Sequence, residues 1–460
     1  MKPILFLAVA LFTSCIINAQ DITGQWKGIL KIQGMQLRVI FNISKTDSGY
    51  ISTLDSPDQG AKEIPVTTTI FENSKLKLES KTSRFEFNGE LEDTIIVGTF
   101  NQGGISIPLS LVKATNVEIE NTIPKKPQEP TKPYAYYSED VTFENNKANV
   151  TLAGTLTLPK KEGNFPAVIL ITGSGPQNRD EEILGHKPFL VISDYLTKNG
   201  IAVLRYDDRG VAKSTGDFKT ATTFDFASDV EAAISYLKTR NEICVKKLGL
   251  IGHSEGGIIT PFVAAKSKDV DFIILLAGHG LQGDKLMLLQ KEKLERAIQI
   301  DEQEISKGQE IFGGAYDIIL NSNLTDTDLK SKINSYLKQS FAGGITEEHV
   351  NTITNQITTP WMINFLKYNP ASTLEEVKCP VLALNGEKDL QVPAQENVSV
   401  IKTSLEKGGN KNIMIKVFPN LNHLFQECKT GLPNEYSKIE ETFSPEALDL
   451  ITTWIKKQIE

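Results

Sequence analysis

Cysteine is scarce in this chain, with only four among 460 residues. Cys15 lies in the apolar amino-terminal segment, and the other three, Cys244, Cys379 and Cys428, are odd in number and widely spaced. Exported proteins that depend on disulfides carry dense, evenly paired cysteines. A disulfide framework is therefore excluded, and we expect the three thiols to be small, buried, apolar side chains.

The chain also lacks a block of charge of one sign. Its net charge of −8 comes from 57 acidic and 49 basic residues that are interspersed along the sequence. Nucleic-acid-binding proteins present a concentrated basic surface, so no nucleic-acid partner is expected. After residue 20 no apolar run approaches the roughly 20 residues that a membrane helix needs, so no membrane span is expected. The sequence carries no signal for an oligomeric state.

The first 20 residues have the features of a signal peptide. Lys2 supplies a positive start, residues 4–12 an apolar run, and Asn18-Ala19-Gln20 a region suited to cleavage. Processing there predicts a mature chain that begins near Asp21 and is exported, either to a periplasm or outside the cell. Lipidation at Cys15 is the alternative, but the residues before it fit that signal less well.

The length of the chain indicates two or more domains. Residues 21–120 contain short segments in which apolar and polar residues alternate, separated by turns such as Asp47-Ser48-Gly49. This pattern predicts a small antiparallel β-barrel or sandwich without a catalytic constellation. Residues 121–135 contain four prolines and predict an extended, semi-rigid linker.

Residues 136–460 show strands alternating with helices, which is typical of a mostly parallel sheet covered by helices on both faces. The expected strands are residues 167–172, 202–206, 248–252, 272–277, 381–385 and 413–418, after an edge hairpin within 141–158. Residues 281–373 interrupt this alternation with helical, charged sequence. We expect them to form a helical cap over the carboxyl edge of the sheet, where ligands of α/β proteins bind.

A serine lies at a predicted strand-turn-helix junction, in Gly252-His253-Ser254-Glu255-Gly256. Glycines two residues before and two after the serine allow the strand and the helix to pass closely, so the hydroxyl group is presented as a nucleophile. An ordinary turn serine that caps the following helix would not need both glycines. Ser254 is therefore the candidate nucleophile.

Such a serine needs a base and an acid that orients the base. His423 and Asp389 follow two later predicted strands and fit the chain order nucleophile, acid, histidine. Glu387 is an alternative acid because it lies only two residues from Asp389. Among the other histidines, His279 also follows a strand but breaks the order, so we assign it to the lining of the substrate pocket or to a core hydrogen bond.

An oxyanion site requires backbone donors near the serine. The first candidate is Glu255 N–H, and the second is Ser174 N–H, where Gly173 and Gly175 allow the main chain to approach the substrate. The alternative for that segment is a simple turn. The charged residues 205–210 predict an ion-pair network that braces the loops, in which Arg209 could pair with Glu255.

These motifs resemble the serine-hydrolase branch of the α/β-hydrolase superfamily that includes bacterial acyl esterases and serine aminopeptidase-like (S33-type) proteins. The resemblance covers residues 137–460 and rests on residues 171–180, 205–216 and 252–257 and on the segments of Asp389 and His423. It implies an α/β-hydrolase fold with a helical cap, hydrolysis through an acyl-enzyme, and oxyanion amides at Ser174 and Glu255. The chain departs from many relatives at Thr172, where they have histidine, and at Ala212, where they have glycine.

The expected function is hydrolysis of small or medium acyl esters, with no metal and no cofactor. Exported peptidase activity on short peptides is the second hypothesis and would require acidic side chains of the cap to bind a terminal amine. The third is a binding protein that has kept the fold without activity. The presence of all three triad candidates argues against the third.

Overall fold

The computed structural model describes residues 21–32, 35–57, 61–102, 105–113 and 126–460. The predicted signal peptide with Cys15, and residues 121–125 of the predicted linker, lie outside these ranges. The chain forms two compact units, with the main boundary between residues 120 and 121.

The amino-terminal unit is a nine-stranded antiparallel sheet. Its strands are β1 (Gly24–Ile32), β2 (Met35–Thr46), β3 (Gly49–Ser56), β4 (Ala61–Val66), β5 (Thr68–Glu72), β6 (Lys75–Ser80), β7 (Phe85–Glu92), β8 (Ile95–Gln102) and β9 (Ile105–Lys113). Their order is β4-β3-β2-β1-β9-β8-β7-β6-β5. Ser52 on β3 and Thr69 on β5 hydrogen-bond at 2.6 Å, so the ends of the sheet approach each other and the unit is barrel-like.

Alternation of apolar residues along these strands gives the barrel its interior. Phe41 packs against Phe85 and Phe87, and Phe85 stacks on Phe100 at a centroid distance of 5.2 Å. Trp26 is buried beside them and donates its indole N–H to the carbonyl of Ile22. Each such side chain contributes about 1.5–3 kcal/mol on burial. The prediction of a small antiparallel barrel or sandwich is confirmed, in the barrel form.

The second unit contains an eight-stranded mixed sheet. Its strands are β10 (Tyr137–Asn145), β11 (Val150–Leu158), β12 (Phe165–Ile171), β13 (Ala202–Tyr206), β14 (Ile243–His253), β15 (Phe272–Leu276), β16 (Val381–Gly386) and β17 (Ile413–Phe418). The order is β10-β11-β13-β12-β14-β15-β16-β17, with β10, β11 and β13 paired antiparallel and the remaining pairs parallel.

Helices cover both faces of this sheet, which explains the continuous apolar runs of its strands. They are α1 (Pro188–Lys198), α2 (Thr223–Leu237), α3 (Gly256–Ala264), α10 (Ala394–Lys407), α11 (Pro433–Tyr436) and α12 (Pro445–Ile459). One core packs α2, α3 and α10 against the sheet, and the other packs α1 and α12 against the opposite face.

Six helices between β15 and β16 form the predicted cap. They are α4 (Gly283–Ala297), α5 (Glu302–Leu320), α6 (Asp326–Phe341), α7 (Glu347–Ile357), α8 (Pro360–Lys367) and α9 (Pro370–Glu376). Apolar residues of α5 to α8 share a small core of their own. The expected α/β fold with an inserted helical cap is confirmed.

Two smaller expectations are wrong. From Lys126 onward the proline-rich segment is packed on the second unit: Gln128 Nε2 donates to the carbonyl of Phe443, and its Oε1 accepts from the N–H of Thr442 at 2.6 Å. Its side chains satisfy backbone groups there, so this part is not a free spacer.

The second expectation concerns the cysteines. The three described cysteines form no disulfide and are only half-buried. Within the described ranges, no helix is long and apolar enough to cross a membrane.

Candidate active site

Ser254 lies in a sharp turn between β14 and α3. Its φ of +53° is in the left-handed region, which is uncommon for a residue with a side chain and typical of strained functional turns. A Cβ at Gly252 would lie 2.0 Å from the carbonyl oxygen of Gly256, and one at Gly256 would lie 2.2 Å from that of Ile171. Both glycines are therefore sterically required, as the spacing predicts.

Asp389 and His423 meet at the same edge of the sheet. His423 Nδ1 donates a 2.7 Å hydrogen bond to Asp389 Oδ2, while Asp389 Oδ1 accepts from the backbone N–H groups of Gln391 and Val392, both at 2.8 Å. The Asp389 side chain is fully buried. Because Nδ1 carries the proton, Nε2 of His423 holds the lone pair that a general base requires.

The other candidate acid and histidines make different contacts. Glu387 Oε2 accepts a long, 3.4 Å hydrogen bond from Asn420 N–H, so the geometry favours Asp389 as the acid. His349 Nδ1 pairs with Thr346 in the cap. His279 lies edge-on to Phe365, with 5.5 Å between ring centroids, and its buried Nδ1 has no partner among the described residues.

The loop after β12 passes directly beside the serine. A Cβ at Gly173 would lie 3.2 Å from Ser254 Cβ, so only glycine allows this approach without displacement. Gly175 has a φ of +95°, which glycine adopts readily. Among the described residues, neither Ser174 N–H nor Glu255 N–H has a hydrogen-bond partner. Both amides are available to a developing oxyanion.

The charged segment after β13 braces these loops. Arg179 Nη2 binds Asp207 at 2.7 Å, and Asp180 pairs with Arg205. Thr172 Oγ1 donates to Asp208 at 2.7 Å, and burial raises the pKa of that carboxyl to about 8. The network holds the loop after β12 against the sheet.

The expected pair of Arg209 and Glu255 does not form. Arg209 Nε binds Asp229 of α2 at 2.7 Å. Glu255 Oε1 instead accepts from Thr223 Oγ1 at 2.6 Å and from Trp361 Nε1 of the cap at 2.8 Å. Both partners of Glu255 are distant in sequence, so no local pattern indicated them.

An apolar wall is formed by residues of α3, of the cap and of the segment after β16. The sequence did not indicate which residues form it. Ile258 of α3, Leu286 of α4, Phe365 of α8 and Val392 are buried together, and Trp361 stacks on Phe365 at 5.0 Å. Burial lowers the pKa of the neighbouring His279 to about 3, so this imidazole is neutral near pH 7.

Two family models and several known proteins are similar to parts of this chain. A family model described as "Serine aminopeptidase, S33" matches residues 189–308, which include Ser254, and one described as "Prolyl oligopeptidase family" matches residues 335–447, which include Asp389 and His423. Esterase EstD of Thermotoga maritima is 27% identical over 323 residues, which are 70% of this chain and 69% of EstD.

Other similar proteins share less sequence. An uncharacterized 31.7 kDa protein of the Escherichia coli traX-finO intergenic region is 22% identical over 68% of this chain and 99% of its own length. The Pyrococcus furiosus esterase Pf2001 is a solved structure with a TM-score of 0.42 and 16% identity, covering 70% of this chain and 93% of that one. The second unit has an α/β-hydrolase fold, and the chain carries an extra amino-terminal domain. The family matches and the esterase relative show that the chain is similar to esterases and serine peptidases and indicate a hydrolase.

Proposed function

We propose that the protein is a serine esterase in which Ser254, His423 and Asp389 form a catalytic triad. The observation that carries the proposal is the 2.7 Å hydrogen bond between His423 and Asp389, at the sheet edge where the strained elbow presents Ser254. The activity in the name of the Thermotoga relative supports the same reaction class.

The reaction follows from this geometry. His423 Nε2 takes the proton of Ser254 Oγ as that oxygen attacks the ester carbonyl, and Asp389 stabilises the resulting imidazolium. The amides of Glu255 and Ser174 bind the oxyanion. The alcohol leaves with the proton from His423, and a water molecule activated by the same histidine then releases the acid. The scheme uses no metal and no cofactor.

We infer small or medium acyl esters as substrates, and acyl groups on carbohydrates are one source of such esters. The apolar wall contains Ile258, four residues after Ser254 on α3, together with Phe365 and Trp361 of the cap, and this apolar surrounding supports an apolar acyl group. The amino-terminal barrel would serve as a packing or targeting module.

Peptidase activity is the second candidate because both matching family models describe peptidases. It requires an acid that binds a terminal amine. Several cap acids are instead paired with neighbouring bases, as in Lys291–Glu295 and Arg296–Glu302, which favours the ester reaction.

The test compares wild type with Ser254→Ala on p-nitrophenyl esters of increasing chain length and on aminoacyl p-nitroanilides. Ester turnover that depends on Ser254, with the anilides untouched, is the expected result. Anilide turnover that depends on Ser254 would support the peptidase instead. A wild-type protein that is inert to both substrates and to a fluorophosphonate probe would overturn the triad.

We also propose export, because residues 2–20 have the charge and apolar pattern of a signal peptide. Mass spectrometry of protein recovered from a secreting bacterial host should give an amino terminus near Asp21. A lipid-modified Cys15 would favour the lipoprotein alternative, and an intact leader would contradict export.

A further inference from the structure

Glu181 and His253 form a second buried carboxylate–imidazole pair beside the proposed triad. His253 Nδ1 lies 2.9 Å from Glu181 Oε1, and both side chains are buried. Glu181 precedes α1, and His253 is the last residue of β14, next to Ser254. The reaction scheme above gives neither side chain a role.

Each end of this pair binds the main chain of a different functional loop. Glu181 Oε1 also accepts from Gly173 N–H at 2.7 Å, in the loop that contains the proposed oxyanion amide of Ser174. His253 Nε2 lies 3.0 Å from the carbonyl oxygen of His423. The pair thus connects the backbone of the oxyanion loop to the backbone of the proposed base.

The two partners of His253 determine its protonation state. A carboxylate oxygen and a carbonyl oxygen are both acceptors, so each ring nitrogen must donate. Neutral imidazole has one N–H, whereas imidazolium has two. While Glu181 is a carboxylate, both hydrogen bonds therefore form together only when His253 is an imidazolium.

The charges that face His253 favour this state. Burial alone lowers the pKa of His253, but attraction to Glu181, hydrogen bonds to Glu181 and to the carbonyl of His423, and a weaker attraction to Asp389 together raise it. The His423 ring lies 4.8 Å away between centroids. His279, on the loop after β15, remains neutral because its pKa is lowered to about 3.

The backbone of Glu181 has a strained conformation. Its φ of +50° lies in the left-handed region. Such conformations persist where the surrounding structure holds them. Here the turn is fixed by Arg179, which binds Asp207, and by Asp180, which pairs with Arg205. The fold therefore directs this carboxylate towards His253 and Gly173.

We propose that Glu181 and His253 are positioning residues, a buried imidazolium–carboxylate pair that holds the oxyanion loop and the main chain of His423 in the geometry needed for reaction. This inference rests on the proposed esterase function. The pair acts through Gly173 and His423, because neither Glu181 nor His253 contacts a reacting atom in the proposed scheme.

Glu181→Gln removes the negative charge of this side chain and keeps its shape. The amide oxygen of glutamine can still accept from Gly173 N–H and from His253 Nδ1–H. Without the neighbouring negative charge, His253 loses its second proton near pH 7, and Nε2 can no longer donate to the carbonyl of His423. The loop that carries His423 then loses this support, while the apolar wall, which includes neither Glu181 nor His253, is unchanged.

The experiment follows the five histidines by two-bond ¹H–¹⁵N NMR with ¹⁵N-histidine, and assigns His253 by its substitution with phenylalanine. We expect both ring nitrogens of His253 to carry protons in the wild type at pH 7, and only one in Glu181→Gln. In ester assays the variant should lose about 100-fold in kcat, the effect of a displacement of about 1 Å at a reacting group, with KM changed less than about threefold.

Glu182→Gln is the matched control, because this neighbouring carboxylate makes no side-chain hydrogen bond among the described residues, and it should behave as wild type. A neutral His253 in the wild type overturns the inference whether or not the variant folds. Equal kcat values for Glu181→Gln and Glu182→Gln overturn the positioning role. A wild type without esterase activity would refute the proposed function and with it the positioning role, while the NMR spectrum would still decide the charge of the pair.

Discussion

Trp361 Nε1 donates a 2.8 Å hydrogen bond to Glu255 Oε1, which joins cap helix α8 to the residue that follows Ser254. Glu255 is 1% exposed, and burial raises the pKa of its carboxyl. The backbone N–H of this same residue is the first proposed oxyanion donor. This hydrogen bond therefore links the position of the cap to the residue that carries the proposed oxyanion donor.

Trp361→Phe tests this link because phenylalanine keeps an aromatic ring that can stack on Phe365 and removes the N–H donor together with part of the ring volume. We expect a loss of about 1 kcal/mol in unfolding free energy and a fall of about fivefold in kcat/KM for esters. Urea denaturation and steady-state kinetics measure the two effects. Trp454→Phe is the control, because it removes the same ring volume from a buried indole of α12 that packs against the sheet. Equal kinetics for the two variants would contradict the link.

Asp389→Asn should abolish most ester turnover while Glu387→Gln should not. Asparagine at 389 can present its NH₂ group to His423 and favour the wrong tautomer, an effect that costs about 10⁴-fold in kcat in a serine protease. Among the described residues, the side chain of Glu387 hydrogen-bonds only to the backbone N–H of Asn420, so its loss should change kcat less than about twofold. Stopped assays at matched enzyme concentration distinguish the pair. The reverse ranking would assign the acid role to Glu387.

The sheet was predictable because burial on both faces imposes continuous apolar runs. The expected range 202–206 coincides to the residue with β13, whose five residues are all buried. The range 413–418 also coincides with β17, although this edge strand is only partly buried. The elbow was equally visible, since steric exclusion at Gly252 and Gly256 leaves a short, recognisable spacing. In each of these cases a local physical constraint is recorded in consecutive residues.

Contacts between distant segments were not predictable. Glu255 and Arg209 each lie in charged, loop-rich sequence, yet their partners are Trp361 and Asp229, on helices whose placement depends on the whole fold. The choice between Asp389 and Glu387 likewise depended on loop geometry. Long-range pairings of this kind require three-dimensional structure.

Gly252→Ala and Gly313→Ala should change stability in opposite directions. The new Cβ at position 252 would lie 2.0 Å from the carbonyl oxygen of Gly256, so the elbow must shift, at a cost of about 3 kcal/mol and with loss of ester turnover. At position 313 in α5, the nearest atom is 3.9 Å from the new Cβ, and replacing glycine within a helix stabilises by about 0.5–1 kcal/mol. Thermal denaturation of both variants measures the difference. A stable, active Gly252→Ala protein would contradict the steric account of the elbow.

His279 should make the second unit lose stability as the pH falls. Burial lowers its pKa to about 3 in the folded protein, against 6.5 when unfolded. Above pH 6.5 both states are neutral and this histidine does not make stability depend on pH. Below that value the unfolded chain gains a proton that the folded protein does not bind, so stability declines down to about pH 3.

Between pH 7 and pH 5, His279 should lower the unfolding free energy by about 2 kcal/mol, because pH 5 lies roughly 1.5 pH units below its unfolded pKa. His279→Leu removes the titrating group and should reduce the pH dependence of urea unfolding by that amount. Phe365→Leu alters the same contact without removing a proton site, so it should destabilise at both pH values and keep the wild-type difference between them. If His279→Leu retains the full pH dependence, the folded imidazole must bind its proton nearly as well as the unfolded one. That result would contradict the claim that burial keeps His279 neutral in the folded protein.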